Sequence, residues 1–228
     1  MTVKNLIRPL PGVRQLSLAR QRMNFRGSAP FWERKYTRGG TSGAGSYGAL
    51  GASKAEFLNA FVRAHGVRSV IEFGCGDGHQ LSLADYPRYV GLDVSKTAIG
   101  LCKQRFADDP TKSFFLYDGE CFVDHARLFA ADLAISLDVV YHLIEDSIFD
   151  TYMKHLFGAG QRYVVIYATN MEMHGMVPQV RHRQFTSWVE KNGAQWQLTQ
   201  VAHGSDSGPG RADFFVYETD ISDRDQTH

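Results

Sequence analysis

Short apolar runs alternate with amphipathic segments along most of the chain. Helical spacing after the capping-box signature Ser53-Lys54-Ala55-Glu56 predicts a first helix that begins at Ser53 and ends at Gly66. The apolar runs predict strands at about Val67–Phe73, Tyr89–Val94, Ser113–Tyr117, Asp132–Leu137 and Arg162–Ala168. Further helices are predicted between those strands at about His79–Ala84, Lys96–Phe106, Glu120–Phe129 and Asp146–Phe157.

The last part of the chain departs from this alternation. One more helix is predicted at Arg183–Lys191, followed by strands at Trp196–Ala202 and Ala212–Thr219 with a turn-rich loop between them. Strands that alternate with helices predict an α/β fold with a doubly wound, mostly parallel sheet, because parallel neighbours need a crossover connection. Two strands with no helix between them predict an antiparallel hairpin at one edge of that sheet.

Composition and charge divide the chain into two parts. Its 228 residues are 43% hydrophobic and 21% charged, with a formal net charge of +1, which is typical of a globular domain and not of a DNA-binding polycation. Residues 1–40 nevertheless hold nine Lys or Arg and one Glu. We therefore expect a basic arm with a Gly-rich segment at 1–52 and a domain at 53–228. The arm is either a loosely held leader or a surface for an anionic substrate, a membrane or a partner.

The cysteines indicate a reducing compartment. Cys75, Cys102 and Cys121 are odd in number and fit neither a zinc site nor a disulfide framework. The first residues contain no apolar core for a secretory signal, and no apolar stretch is long enough to span a bilayer. The expected location is therefore the cytoplasm.

Glycines and acids follow the predicted strands, at the edge where open α/β sheets bind ligands. The first strand leads into Glu72-Phe73-Gly74-Cys75-Gly76-Asp77-Gly78, whose glycines allow a tight turn and whose following helix would offer free N–H groups. Asp93 ends the second strand at the usual offset for an acid that takes ribose hydroxyls. Asp118-Gly119 follows the third strand, where a carboxylate accepts a hydrogen bond from an exocyclic amine.

The fourth motif, Ser136-Leu137-Asp138-Val139, ends the fourth strand. Together the four motifs, in this order and spacing, resemble the class I S-adenosylmethionine-dependent methyltransferases over about residues 53–219. The resemblance implies a Rossmann-like seven-stranded sheet of order 3-2-1-4-5-7-6, with strand 7 antiparallel, and S-adenosyl-L-methionine as cofactor. It also implies the cofactor-binding positions: Glu72 and the loop Gly74, Cys75, Gly76 and Gly78 at the methionine part, Asp93 with Val94 at the ribose, Asp118 with Gly119 at the adenine, and Leu137 near the sulfonium.

Other interpretations of these motifs remain open. The glycines could form only a tight strand–helix turn, and Asp93 and Asp118 could be plain helix caps. A dehydrogenase loop would need a glycine where His79 stands, and the Gly-x-Gly-x-x-Gly match at 43–48 has no strand before it. We interpret residues 39–51 as either a linker or a lid over the cofactor that Tyr36 or Tyr47 touches.

The residues after the fourth and fifth strands are candidates for the chemistry. Methyl transfer to a hydroxyl is an in-line displacement, in which the protein aligns the acceptor and a general base takes its proton. His142 and His182 are the candidate bases, with Asp138 as a nearer alternative and Tyr141 beside the acceptor. Each histidine could instead be structural.

Two arginines and a possible metal site complete the candidates. Arg181 and Arg183 would bind a phosphate or carboxylate of the substrate, or else form an exposed basic turn. Asp138 and Asn170 stand where metal-dependent O-methyltransferases carry acids, but Thr169 stands where a second acid is expected. Magnesium is therefore the less favoured interpretation, whether it is needed stays open, and no metal-ligating residue is predicted.

A narrower resemblance concerns the acceptor. Trp32-Glu33-x-x-Tyr36, the glycine-rich segment 39–48 and Arg181-His182-Arg183-x-Phe185 look like a bacterial methyltransferase group associated with surface-glycan modification. This resemblance implies O-methylation of a sugar, a glycan or another small hydroxylated molecule. The alternatives are a protein or RNA acceptor that uses the basic arm, a non-catalytic cofactor-binding subunit and, last, an NAD-dependent oxidoreductase. The oligomeric state stays open.

Overall fold

The computed structural model describes residues 25–174, 177–204 and 211–219. Five α-helices are described: α1 (Ser28–Thr37), α2 (Gly48–Ala64), α3 (Lys96–Arg105), α4 (Asp146–Ala159) and α5 (Phe185–Asn192). The strands are β1 (Val70–Phe73), β2 (Tyr89–Asp93), β3 (Lys112–Leu116), β4 (Ala131–Leu137), β5 (Gly160–Ala168), β6 (Met173–His174), β7 (Arg181–His182), β8 (Trp196–His203) and β9 (Asp213–Thr219). Short 3₁₀ turns lie at Ala44–Ser46, Leu81–Leu83 and Val140–His142.

Seven of these strands form one sheet of order β3-β2-β1-β4-β5-β9-β8. The pairs from β3 through β5 are parallel, whereas β9 runs antiparallel to both β5 and β8. Counted along this sheet, the order is 3-2-1-4-5-7-6 with strand 7 antiparallel, so the predicted fold is confirmed. The strands β6 and β7 pair separately as a small antiparallel hairpin.

The core lies in two layers, one on each face of the sheet. Alternate residues of β4 point to opposite faces, so Leu133 and Ile135 pack in one layer and Ala134 in the other. Leu58 of α2 and Ile99 of α3 join the first layer. The second layer receives the apolar faces of α4 and α5. The helices therefore cover both faces of the sheet, as a doubly wound fold requires.

Two of the predicted helices differ in the structure. Residues 120–129 form turns instead of a helix, because both carboxylate oxygens of Asp124 accept backbone N–H groups, from Leu128 and Phe129. Such side-chain bonds give the backbone an alternative to helical pairing. The predicted helix at 79–84 is reduced to the 3₁₀ turn Leu81–Leu83.

The expected boundary at residue 52 falls inside a helix. The helix α2 begins at Gly48, five residues before the capping box, and Ser53 does not cap it. The described residues before it pack on the sheet domain: the Ser28 hydroxyl lies 2.7 Å from the His142 carbonyl oxygen, and α1 contacts α3. Residues 1–24 of the predicted arm lie outside the described residues. Within the described ranges, no helix has the length and apolar character to cross a membrane.

Candidate active site

A cleft opens at the carboxyl ends of β1, β2 and β4, where the strand order reverses. This main cleft encloses about 920 Å³ out to its open mouth. Its floor comes from the strand ends, and α1 covers one side through Trp32 and Tyr36. Mostly apolar walls with a few polar side chains are the usual form of a small-molecule site.

The glycine loop after β1 has the tight form that the sequence predicts. Gly74 and Gly76 have φ angles of 88° and 58°, which side chains rarely adopt. A Cβ at Gly74 would clash with Val139, and one at Gly76 with the Ser42 hydroxyl. Glycine at these two positions therefore lets neighbouring segments approach the loop closely.

The loop does not present free N–H groups in the way we expected. The Gly76 N–H donates to Asp93 at 2.9 Å, and the Asp77 N–H donates to the Ser42 hydroxyl at 3.0 Å. The backbone N–H of Cys75 bonds to the Leu92 carbonyl. Because only a 3₁₀ turn follows, the loop lacks the helix N-terminus on which that expectation rested.

Two buried carboxylates line the main cleft. Burial raises the pKa of Glu72 to about 7, although the Tyr89 hydroxyl donates to it at 2.6 Å. Burial also raises the pKa of Asp93 to about 6, against the bonds it accepts from the backbone of Ser95 and Gly76. A ligand that brings positive charge or hydroxyl donors into the cleft would therefore stabilise the charged form of these carboxylates.

The other predicted cofactor positions divide into two groups. Val94 and Leu137 line the main cleft with Glu72, Asp93 and the loop residues 74–76, whereas Gly78 packs against Cys102 and Phe106. Asp118 is exposed and accepts the Glu120 N–H, and neither it nor Gly119 lines the cleft.

Of the two candidate lid tyrosines, Tyr36 faces the cleft. Tyr47 instead stacks on the His79 ring, with centroids 3.8 Å apart, and its hydroxyl donates to Asp77.

Asp138 sits at the end of β4 in a strained conformation. Its φ angle of 61° is uncommon for a residue with a side chain. One carboxylate oxygen lies 2.5 Å from the buried ammonium of Lys54, and the other accepts the Tyr141 hydroxyl at 2.8 Å. With both oxygens engaged, Asp138 is a paired anion that orients its neighbours. Sequence reasoning missed Lys54, whose only signal is a charged residue on the apolar face of a helix.

His142 occupies the junction of two cavities. It lines the main cleft and also a side cavity of about 620 Å³, whose walls include Trp32, Lys35 and Tyr141. Its Nδ1 lies 2.8 Å from the Gln179 carbonyl oxygen, so Nδ1 carries the proton and Nε2 keeps a free lone pair. Burial lowers the pKa of His142 to about 4, which keeps the ring neutral at neutral pH.

The second histidine and the two arginines lie elsewhere. His182 lies 2.7 Å from the Thr169 hydroxyl, and neither cavity includes it, although its ring is 5.7 Å from that of Tyr141. Arg181 and the buried Arg183 both pair with Asp146 and donate to the Ile144 carbonyl. The two guanidinium groups thus hold the loop after β4 in place. Within the described ranges, no three His, Cys, Asp or Glu side chains are placed to hold a metal ion.

Comparison with known proteins assigns the fold. No protein family model matches the chain. The small RNA 2'-O-methyltransferase of Arabidopsis thaliana is 26% identical over 160 residues, a match that covers 65% of this chain but 17% of that protein. The methyltransferase domain of bacterial CtHen1-C is similar with a TM-score of 0.58 and 22% identity, covering 74% of this chain and 97% of that domain.

A more distant structure superposes over more of the chain. The N-methyltransferase NodS from Bradyrhizobium japonicum WM9, in complex with S-adenosyl-L-homocysteine, gives a TM-score of 0.65 at 14% identity and covers 85% of this chain and 98% of NodS. The chain therefore has the fold of the class I S-adenosylmethionine-dependent methyltransferases. The predicted enzyme class agrees with all of these comparisons.

Proposed function

We propose that this protein is an S-adenosylmethionine-dependent methyltransferase that methylates a sugar hydroxyl. The observation that carries this proposal is the position of His142, a neutral imidazole with a free Nε2 lone pair between the main cleft and the side cavity. A hydroxyl acceptor needs a group that takes its proton during transfer. The main cleft would hold the cofactor, and the side cavity would hold the acceptor.

The residues of the main cleft fit the cofactor. Glu72 and Asp93 are buried acids that favour a cationic amino group and ribose hydroxyls, respectively, and apolar side chains such as Leu137 and Val139 surround them. When bound, S-adenosylmethionine supplies a methyl group that is already activated on a sulfonium. The protein therefore has to align the acceptor and exclude water.

His142 and its neighbours position the acceptor hydroxyl and take its proton. The Nε2 of His142 accepts the hydroxyl proton, while the Gln179 carbonyl fixes the ring through Nδ1. The indole of Trp32 packs edge-on to this ring, with centroids 4.9 Å apart, and limits the access of water. Lys54 and Asp138 hold the Tyr141 hydroxyl at the wall of the side cavity.

Two kinds of sugar acceptor are supported by different observations. The resemblance of the segments around Trp32 and Arg181 to glycan-modifying methyltransferases favours the hydroxyl of a surface glycan. The Arabidopsis relative, a small RNA 2'-O-methyltransferase, favours a ribose hydroxyl of RNA as the second candidate. In both cases the reacting group is a sugar hydroxyl.

Binding and transfer experiments test the proposal in order. Calorimetry should detect S-adenosyl-L-homocysteine binding by the full chain, and Asp93→Ala should abolish it. Methyl-labelled S-adenosylmethionine should then label either the glycan fraction or the small RNA fraction of a cell extract. Absence of cofactor binding would overturn the proposal, and binding without transfer to any fraction would favour a non-catalytic subunit.

A further inference from the structure

We propose that the side cavity recognises an oxyanion carried by the acceptor, and that Lys35 is the residue that selects it. The proposal rests on the function proposed above and narrows the acceptor to a sugar that bears a phosphate or a carboxylate. It assigns to α1 a role in acceptor choice in addition to covering the main cleft.

Lys35 is a cation at the cavity wall that lacks a counter-ion. No carboxylate of the described residues lies within ion-pairing distance of its ammonium, whereas Arg181 and Arg183 share Asp146. The Lys35 ammonium lies 4.3 Å from the centre of the Trp32 ring, which holds it over the aromatic face. Burial lowers the pKa of Lys35, and Asp77 opposes this effect from a greater distance. A half-buried ammonium of this kind gains free energy when an anion enters.

Lys35 determines the sign of the charge in the side cavity, because the other ionisable groups that line it are paired or neutral. Asp138 lines the cavity, but Lys54 neutralises its charge and Tyr141 donates to it. His142 is neutral at neutral pH because burial lowers its pKa to about 4. The remaining wall comes from uncharged residues, namely Phe31, Trp32, Ser42, residues 43–45 and Gln179.

The backbone beside Lys35 keeps the approach open. Gly43 lies next to the ammonium, where an added Cβ would come within 3.8 Å of Nζ, and its φ angle of 100° disfavours other residues. Gly45 similarly passes over Asp138 where a Cβ would clash with the carboxylate. An oxyanion at Lys35 therefore leaves the sugar against Trp32 and Tyr141, with a hydroxyl free to reach His142.

Fluorescence of Trp32 provides a direct measurement. Ribose 5-phosphate and glucuronate, and the uncharged sugars ribose and glucose as their neutral counterparts, are titrated into the full chain with saturating S-adenosyl-L-homocysteine. We expect the anionic sugars to quench the fluorescence and to bind about tenfold more tightly than the neutral ones. Trp32→Phe should remove the quenching, which assigns the signal to this ring. The two anionic probes separate a phosphate from a carboxylate preference.

Substitutions of Lys35 test whether its charge produces the preference for anionic sugars. Lys35→Gln should abolish the preference for the anionic sugars, Lys35→Arg should retain most of it, and Lys191→Gln, an exposed lysine on α5, should leave it unchanged. Equal binding of charged and neutral sugars, or an unchanged preference in Lys35→Gln, would overturn the role of Lys35 while cofactor binding persists. Failure of the wild-type chain to bind S-adenosyl-L-homocysteine would overturn both this proposal and the proposed function.

Discussion

At the scale of single residues, burial sets the protonation of the site. It lowers the pKa of His142 and raises the pKa values of Glu72 and Asp93, because a low-dielectric environment disfavours whichever form is charged. The imidazole is therefore available as a proton acceptor over a wide pH range. A ligand that brings a cation or a hydrogen-bond donor to Glu72 and Asp93 favours the charged form of both carboxylates.

The role of His142 gives the first prediction. His142→Ala should lower methyl transfer by roughly 10²–10⁴-fold. The same variant should leave S-adenosyl-L-homocysteine affinity nearly unchanged, since Asp93 and Glu72 remain. The exposed His125→Ala is the matched control. With S-adenosylmethionine saturating, so that the titration of Glu72 and Asp93 does not limit cofactor binding, wild-type transfer should stay level around neutral pH and fall only as the pH drops through about 4, where His142 takes up a proton. A rate that halves near pH 6.5 would contradict the assignment.

Glu72 gives the second prediction, on stability. Its pKa in the folded chain is raised from 4.5 to about 7, so the folded state binds the proton more tightly than the unfolded state. The resulting stabilisation is fully present below about pH 4.5 and is lost as the pH rises through about 7. Glu72→Gln should therefore raise the melting temperature of the ligand-free protein more at pH 8 than at pH 5.

The control for this prediction is an exposed glutamate. Glu56→Gln, on the solvent-facing side of α2, should change the melting temperature little and equally at both pH values. An effect of Glu72→Gln that is the same at pH 5 and pH 8 would mean that the carboxyl titrates alike in the folded and unfolded chain.

At the scale of elements, hydrogen bonds to two carboxylates attach α1 to the sheet domain, at its first residue and near its middle. Glu33 accepts hydrogen bonds from the hydroxyls of Ser95 and Thr97 at the start of α3, and Glu145 accepts from the Ser28 hydroxyl. The Ser95 bond, followed by that of Thr97, lowers the pKa of Glu33 to about 2. These contacts fasten a helix that carries Trp32, Lys35 and Tyr36 to the cavities.

The third prediction concerns this attachment. Glu33→Ala should speed the dissociation of S-adenosyl-L-homocysteine about tenfold, because hydrogen bonds to a charged group contribute roughly 1.5–3 kcal/mol and hold α1 over the cleft. Stopped-flow displacement measures the rate, with Glu56→Ala as the control. Equal dissociation rates in the two variants would show that α1 does not retain the ligand.

The sheet could be predicted from the sequence, and much of the site could not. Buried strands such as β4 carry apolar runs that end at the ligand-binding edge, so the spacing after the glycine loop predicts Asp93 at the cleft, whereas Leu137 is expected there from the resemblance of its motif. The pair Lys54–Asp138 joins residues 84 positions apart, and no local pattern reports such a contact. The same holds for α1, whose polar contacts to α3 and to Glu145 depend on the folded sheet. The missed turn at 120–129 follows from one side chain, that of Asp124.

At the scale of the whole molecule, a net charge of +1 conceals two parts of opposite sign. Residues 1–40 are strongly basic, and the remaining chain holds sixteen Lys or Arg against twenty-three Asp or Glu. The described basic residues include Lys35 at the side cavity, while the main cleft carries the acids Glu72 and Asp93. The basic part of the chain thus contributes a lysine to the cavity proposed for the acceptor, and the acidic part contributes the two carboxylates of the cleft proposed for the cofactor.

This division gives the last prediction. Salt shortens the range of charge interactions, from about 10 Å at 0.1 M to about 3 Å at 1 M, and it screens exposed charges more than buried ones. Raising the ionic strength should therefore raise the KM for the acceptor identified by labelling more than the Kd for S-adenosyl-L-homocysteine. Removal of residues 1–24, which hold five Lys or Arg and no acid, should reduce the salt dependence of the acceptor KM without changing the Kd. If salt shifted both constants equally, or if the truncated chain kept the full salt dependence, the basic segment would have no part in acceptor binding.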